Sequence, residues 1–469
     1  MKTTTRSSLL PSFTTLLRTH LATTIGIVLA AFSHPAAAMP GDLDLSFGGT
    51  GLVTTNLGGG NGSCYDVAIQ NDGKIVLAGQ VFHPVGTGTL LDFAVVRYDS
   101  NGVLDTTFNG TGIATTDFGR YYTDDGGYSV VVQSDGKIVV AGGTQINRDS
   151  YGFAAVRYNA NGSLDTSFNG TGIVTTSFGT LGTAAAGNSV ALQSDGKIVV
   201  AGYLAPNNFV PLANLEVVRY NINGSLDTSF NGTGTLGVSI AGDWQAAYGV
   251  VLQTDGKIVV AGQCRIAGKY KFGLSRVNPN GTLDTTFNGT GMLTTSIGNG
   301  DDRGNSVALQ ADGKIVVAGS SYNGSNDDFA LVRYNSDGSL DTSFNGTGKV
   351  TTDFGGNEAG RSLVIQNDGK IVVTGGNYTA LARYNTDGSL DTSFNGTGKV
   401  TSPAGSGFTG GYGVALQSDG KIVVAGNSSD SGSSFAVARF EGVPEPSSVI
   451  LMISSGWIFL LQRRRISAR

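Results

Sequence analysis

Acid–base, metal and nucleophilic chemistry draw on few side-chain types, and this chain of 469 residues is poor in most of them. Of its three histidines, His20 and His34 fall near the N-terminus, which leaves His83 alone in the body. A single imidazole cannot build a metal cluster, and no Ser-His-Asp set exists beyond that one residue. Glutamate is limited to Glu216, Glu358, Glu441 and Glu445, so acidity rests on Asp, mostly in turns. Asp124-Asp125, Asp301-Asp302 and Asp327-Asp328 are carboxylate pairs of the kind calcium uses, but none has EF-hand or glycine-rich nonapeptide spacing. No cofactor is therefore expected, with calcium the one metal to weigh. Paired Asp residues still leave room for glycoside chemistry. Cys64 and Cys264 lie in different copies of a repeat, beyond the roughly 7 Å that a disulfide spans, and are expected as free, mostly buried thiols.

Recognition chemistry is better represented. Phe82 and His83, Arg120 with Tyr121 and Tyr122, Tyr203 and Phe209, and Asp243 with Trp244 set aromatic rings beside charges. Such groupings suit stacking on carbohydrate or anchoring of a protein partner, and the competing reading is local packing. The net charge of −5 and pI near 5.2 provide no basic stripe, so nucleic acid is not an expected partner.

These groups are carried on a repeat. Asp-Gly-Lys recurs at Lys74, Lys137, Lys197, Lys257, Lys314, Lys370 and Lys421. Leu-Asp-x-[ST]-Phe recurs at Asp44, Asp105, Asp165, Asp227, Asp284, Asp341 and Asp391, with spacings of 61, 60, 62, 57, 57 and 50 residues. A period of this length means one supersecondary unit stacked repeatedly. The fifth copy offers four strand-like stretches, Asn305–Gln310, Lys314–Gly319, Phe329–Tyr334 and Lys349–Asp353, designated A to D. Glycine in the A–B connection allows a tight hairpin, and no helical periodicity appears between the chain ends. Seven units of four antiparallel strands predict an all-β, seven-bladed β-propeller over residues 42–441.

The phase of the repeat predicts how the ring closes. Gly51–Asn56 reads as a D strand with nothing before it, and Phe435–Phe440 as a C strand with no D after it. The leading strand should complete the last blade and remove exposed edges. The Arg series Arg97, Arg157, Arg219, Arg276, Arg333, Arg383 and Arg439 is expected to pair with acceptors of the C–D loop, the repeated Asp among them, as a blade latch. The repeated Phe should plug the space between blades. The repeated Lys reads as a solvated charge opening strand B, or alternatively as a docking ring for acidic polysaccharide. Arg276-Val277 in the fourth copy and the short B–C connection of the sixth predict less regular blades. The A–B and C–D turns barely change between copies, whereas the D–A and B–C connections do, so recognition should sit on the face carrying the latter.

The Leu-Asp-x-[ST]-Phe, Asp-Gly-Lys-Ile-Val and Val-x-Arg-Tyr elements resemble the delta-60 repeat of bacterial exported proteins, a family read as propeller-like with no defined molecular function. The chain ends carry addresses. Lys2, Arg6 and Arg18, an apolar run from Leu21 to Phe32 and Ala36-Ala37-Ala38 read as a secretory signal peptide over residues 1–38. Residues 443–469 hold Pro444-Glu445-Pro446, an apolar segment and Arg463-Arg464-Arg465, which resembles the PEP-CTERM sorting signal of Gram-negative bacteria. The resemblance implies export, transient inner-membrane anchoring with the arginines inside, and processing by an exosortase. The expected function is a non-enzymatic surface or matrix propeller that binds exopolysaccharide or a surface protein. The alternatives are a hydrolase or lyase acting on polysaccharide through Asp residues, and a periplasmic assembly scaffold.

Overall fold

Strands rich in Val, Ile and Ala, cut at short intervals by Asp-Gly and Asn-Gly turns, leave the chain little choice but hairpins. The computed structural model describes residues 38–442, apart from 59–60, 86–87, 120–124, 180–181, 207–212, 241, 377–378, 402–406 and 430–433. The signal-peptide and sorting-signal segments lie outside the described residues. Pro40–Val443 forms one compact unit. Its described residues make 28 strands, β1 to β28, with no helix.

The strands form seven four-stranded antiparallel sheets, one per repeat. The first blade runs β2 (Gly62–Ile69), β3 (Ile75–Val85), β4 (Gly88–Tyr98) and β5 (Ile113–Thr116). The last is ordered β1-β28-β27-β26, so β1 (Leu52–Thr55) pairs with β28 (Ser434–Phe440) in the register Leu52↔Ala438 to Thr55↔Phe435. The expected clasp is present, and Leu43 adds a bridge to Phe440. The core is seven apolar clusters, each shared by two neighbouring blades.

The latch is present in all seven copies and does more than pair two charges. Arg97 donates from Nε to Asp105 at 2.8 Å, from Nη2 to Thr107, and from Nη1 to the Ala160 carbonyl in the next blade. Its guanidinium stacks 4.7 Å from the centre of the Phe108 ring. Phe108 is fully buried against Tyr158 of the second blade, so it fills the inter-blade gap as expected. Asn109, in the left-handed region at φ 50°, donates its N–H to Asn161 across the same gap. The closing latch joins the chain ends: Asp44 accepts from Arg439 at 2.6 Å and from Lys421 at 2.8 Å.

Two expectations need correction. The repeated Lys is not a freely solvated charge. Lys74 lies 3.0 Å from Asp105, and its equivalents keep 2.8–3.3 Å from the latch carboxylates. The C–D turn folds its Asp back over the start of strand B, so one buried carboxylate serves two cations. The fourth blade is also fully regular. In five blades a Tyr hydroxyl bonds a Thr of the preceding blade's D strand, as Tyr158 does with Thr116 at 2.6 Å. In the fourth, Val277 replaces Tyr and Val238 replaces Thr, and both are buried in the same cluster, so an apolar contact substitutes for the hydroxyl pair. The sixth blade does have shorter strands, of 6, 5, 5 and 3 residues.

Burial alone would raise the latch carboxyls. Hydrogen bonds from the hydroxyl two residues on and from Lys, with the Arg charge beside them, outweigh it and hold Asp44, Asp165, Asp227, Asp341 and Asp391 at about 2. Asp105 and Asp284 are likewise held well below the usual range. Folding therefore lowers their proton affinity, so their stabilisation is complete above about pH 4 and is lost as pH falls towards 2. A steep acid transition between about pH 4 and pH 2, followed by far-ultraviolet circular dichroism, is the expected result. Asp44→Asn leaves the buried Arg439 without its carboxylate, while Lys421 keeps Glu441, and should cost about 3 kcal/mol in urea unfolding.

Candidate functional site

The inner strand of every blade carries a register shift, two residues wide in six blades, as between Cys64 and Asp66 in the first, and wider in the last, between Thr409 and Gly413. A bulge frees one residue from the ladder and re-aims its side chain. The freed residues are Tyr65, Tyr128, Asn188, Tyr248, Asn305, Arg361 and Tyr412, in blade order, and all line one axial cavity of about 500 Å³. The bulge depends on the glycine opposite it in strand B. A Cβ on Gly79, Gly142, Gly202, Gly262, Gly319, Gly375 or Gly426 would collide with an inner-strand carbonyl oxygen. Only glycine lets the two backbones approach so closely.

The residue after the bulge ties the ring together. Ser129 Oγ accepts from Val190 N–H, Ser189 from Val250, Ser306 from Leu363 and Ser362 from Val414, each in the following blade. Gly413 of the last blade has no such side chain, and Asp66 compensates. Its Oδ1 accepts from Val67 N–H at 2.8 Å, and its Oδ2 from Ser129 Oγ at 3.0 Å and Val130 N–H at 2.9 Å. Burial pushes the Asp66 carboxyl up to about 6 against the pull of those bonds. With both oxygens engaged, Asp66 is a clamp and not a free acid or base.

The wall itself is asymmetric. Tyr65 makes edge contacts with Tyr128 at 5.4 Å and Tyr412 at 5.8 Å, and the Arg361 guanidinium lies 4.3 Å from the centre of the Tyr412 ring. Arg361 Nε is buried and has no hydrogen-bond partner. On the opposite side, Asn188 and Asn305 donate to the next blade's backbone, at Ala247 and Gly360. Burial pushes the Tyr65 phenol up, and Tyr248 to about 12.

The residues singled out in the sequence lie elsewhere, on the face of the variable connections. Phe82 and His83 belong to a strand, not a loop: β3 and β4 extend as a hairpin with Phe82↔Leu91 and His83↔Leu90 in register. His83 Nδ1 hydrogen-bonds Asp92. Tyr203 and Trp244 meet across the third and fourth blades at 6.0 Å between ring centres, and Asp243 is held bidentately by Arg265 at 2.9 Å. The two groups are separated by the second blade and form distinct patches. Arg120, Tyr121, Tyr122 and Phe209 lie outside the described residues.

Among the described residues, one acidic group has metal-like spacing: Asp92, Asp117 and Asp125. Asp125 is already used in the D–A turn, accepting from Thr144 Oγ1 at 2.6 Å and from Phe118 N–H. Asp302 does the same for Ile297 N–H in the fifth blade, so this Asp has a turn-closing role. Cys64 and Cys264 are free and buried, as expected.

The family comparison fits this architecture. A model described as a domain of unknown function (DUF5122) beta-propeller matches residues 70–108, 133–168, 193–230, 253–287, 310–344, 366–394 and 417–442. The chain belongs to the DUF5122 β-propeller family. Each match starts at or near the A–B turn, and all but the last end on the repeated Phe, so the family signature covers the latch and omits the bulged inner strand. No curated protein matches the sequence. Similar solved structures include polysaccharide lyase Uly1, 10% identical over 82% of this chain and 91% of that one, with a TM-score of 0.46. Sqt1 from Chaetomium thermophilum is 11% identical over 83% and 99%, with a TM-score of 0.45. A protein of unknown function from Dyadobacter fermentans is 11% identical over 83% and 99%, with a TM-score of 0.42. At these values none of them bears on activity.

A further buried acid, Glu216, lies outside both latch and ring. Glu216 occupies a strand-C position that is Ala or Gly in the other blades, and faces Gly237 where the others place Thr. Only 4% of it is exposed, and burial pushes its carboxyl up to about 8. A raised acid binds its proton more tightly folded than unfolded, so stability should fall as pH rises from about 4.5 to 8. Glu216→Gln should remove that slope, worth roughly 4 kcal/mol across the window, in urea titrations at successive pH values.

Proposed function

We propose that this propeller is an exported, non-enzymatic binding or structural protein of the cell surface or matrix, with exopolysaccharide or a surface protein as its partner. On this reading residues 1–38 direct export. Residues 443–469, with Pro444-Glu445-Pro446 and Arg463-Arg464-Arg465, hold the precursor in the inner membrane until an exosortase acts. The observation that carries the binding reading is the division of labour among polar groups. The repeated acids and bases are consumed in latches. The groups that differ between copies line the axis or the individual face. Turnover needs a base that titrates near neutrality. Tyr65 and Tyr248 are shifted the other way and stay protonated, suited to donate hydrogen bonds.

A second reading, an Asp-dependent hydrolase or lyase, is favoured by one acidic group among the described residues. Asp92, raised chiefly by burial against its bond to His83, lies beside the exposed carboxylate of Asp117. Protein spanning residues 39–442, applied to a glycan array and to an assay for new reducing ends and unsaturated products, separates the two. Saccharide binding without turnover is expected, with Trp244→Ala weakening it about tenfold if the individual face contributes. Turnover abolished by Asp92→Asn would replace the binding reading with the enzymatic one.

A further inference from the structure

We propose that the axial ring binds one carboxylate-bearing sugar unit, a uronate, with its carboxylate on Arg361. The inference rests on the saccharide-binding reading above and assigns it a place and a chemistry. The fold does not require Arg361. The six equivalent positions hold Tyr or Asn on the same bulge, each opposite the same glycine. Among the described residues no carboxylate pairs with Arg361, and Asp66, the acid in the cavity wall, has both oxygens engaged. A buried donor without an acceptor is costly, and its Nε is such a donor.

A guanidinium stacked on a ring presents its edge in a fixed plane, and that edge matches a carboxylate bidentately. The rest of the wall suits what a uronate carries besides its acid group. Tyr65, Tyr128 and Tyr412 place aromatic rings along one side of the cavity. Across from them, Asn188 and Asn305 set amide groups in the cavity wall, suited to sugar hydroxyls. The volume of about 500 Å³ falls in the range of small-ligand sites.

Isothermal titration of protein spanning residues 39–442 tests this with three probes: trigalacturonate, neutral maltotriose, and glutarate as a carboxylate without a sugar. Trigalacturonate should bind at least about tenfold more tightly than either of the others. Arg361→Gln should weaken trigalacturonate about tenfold or more and leave maltotriose unchanged, and Arg361→Lys should restore part of the loss. Tyr248→Leu, across the cavity, should weaken trigalacturonate about fivefold and keeps the test decisive if the Arg361 variant does not fold. Trigalacturonate affinity unchanged by Arg361→Gln or Tyr248→Leu overturns the inference. So does glutarate binding as tightly as trigalacturonate, which makes the site one for small carboxylates. Binding lost in Trp244→Ala but intact in Arg361→Gln overturns it too, while the saccharide-binding reading survives on the individual face. If no saccharide binds the unaltered protein, both fall.

Discussion

A single carboxylate per blade, gripped by Arg on one side and Lys on the other, is the constraint on which the remaining structure depends. Burying three charges is unfavourable unless every lone pair and donor is used, and here nearly all are. The Asp accepts from Arg, Lys and the hydroxyl two residues on. The Arg spends its remaining donors on that hydroxyl and on the next blade's backbone. Because each latch ends on the neighbour's turn, every blade must present the same turn to its predecessor. The sameness of the copies is thus a condition of ring assembly and carries no information about a ligand.

The last latch differs from the others chiefly in its connectivity. Arg439 and Asp44 are far apart in the chain, and β1 brings them to the same spacing found inside each of the other blades. Closure therefore uses the same interaction as stacking, and the ring acquires no weak seam. Glu441 gives Lys421 an additional partner at 2.8 Å there, where the chain leaves the sheet.

The scaffold was legible because its determinants recur. The period, the unpaired leading strand and the Arg–Asp pairing all follow from residues that return at fixed offsets. The partnership of Lys74 with Asp105 was not legible, since strand order does not say that the C–D turn doubles back over the start of strand B. The axial ring escaped for a different reason. Tyr65, Asn188 and Arg361 occupy one structural position but share no chemistry, so a search for constancy passes over them, and a search for variable loops looks outside the strands. The signal was present in Gly79 and its six counterparts, small residues in the middle of otherwise β-branched strands. Likewise, the length of the β3–β4 hairpin was hidden in an apolar stretch, Val81-Phe82-His83-Pro84-Val85, that has no strand alternation to give it away.

The glycine that faces each bulge has one more effect. By setting the backbone geometry without regard to the side chain that the bulge releases, it uncouples seven inward-pointing positions from the folding of the molecule. Each can change type while its neighbours and the latches stay as they are. Descendants of one repeated gene segment can thus diversify a seven-membered palette residue by residue, and a protein engineer can rewrite it in the same way.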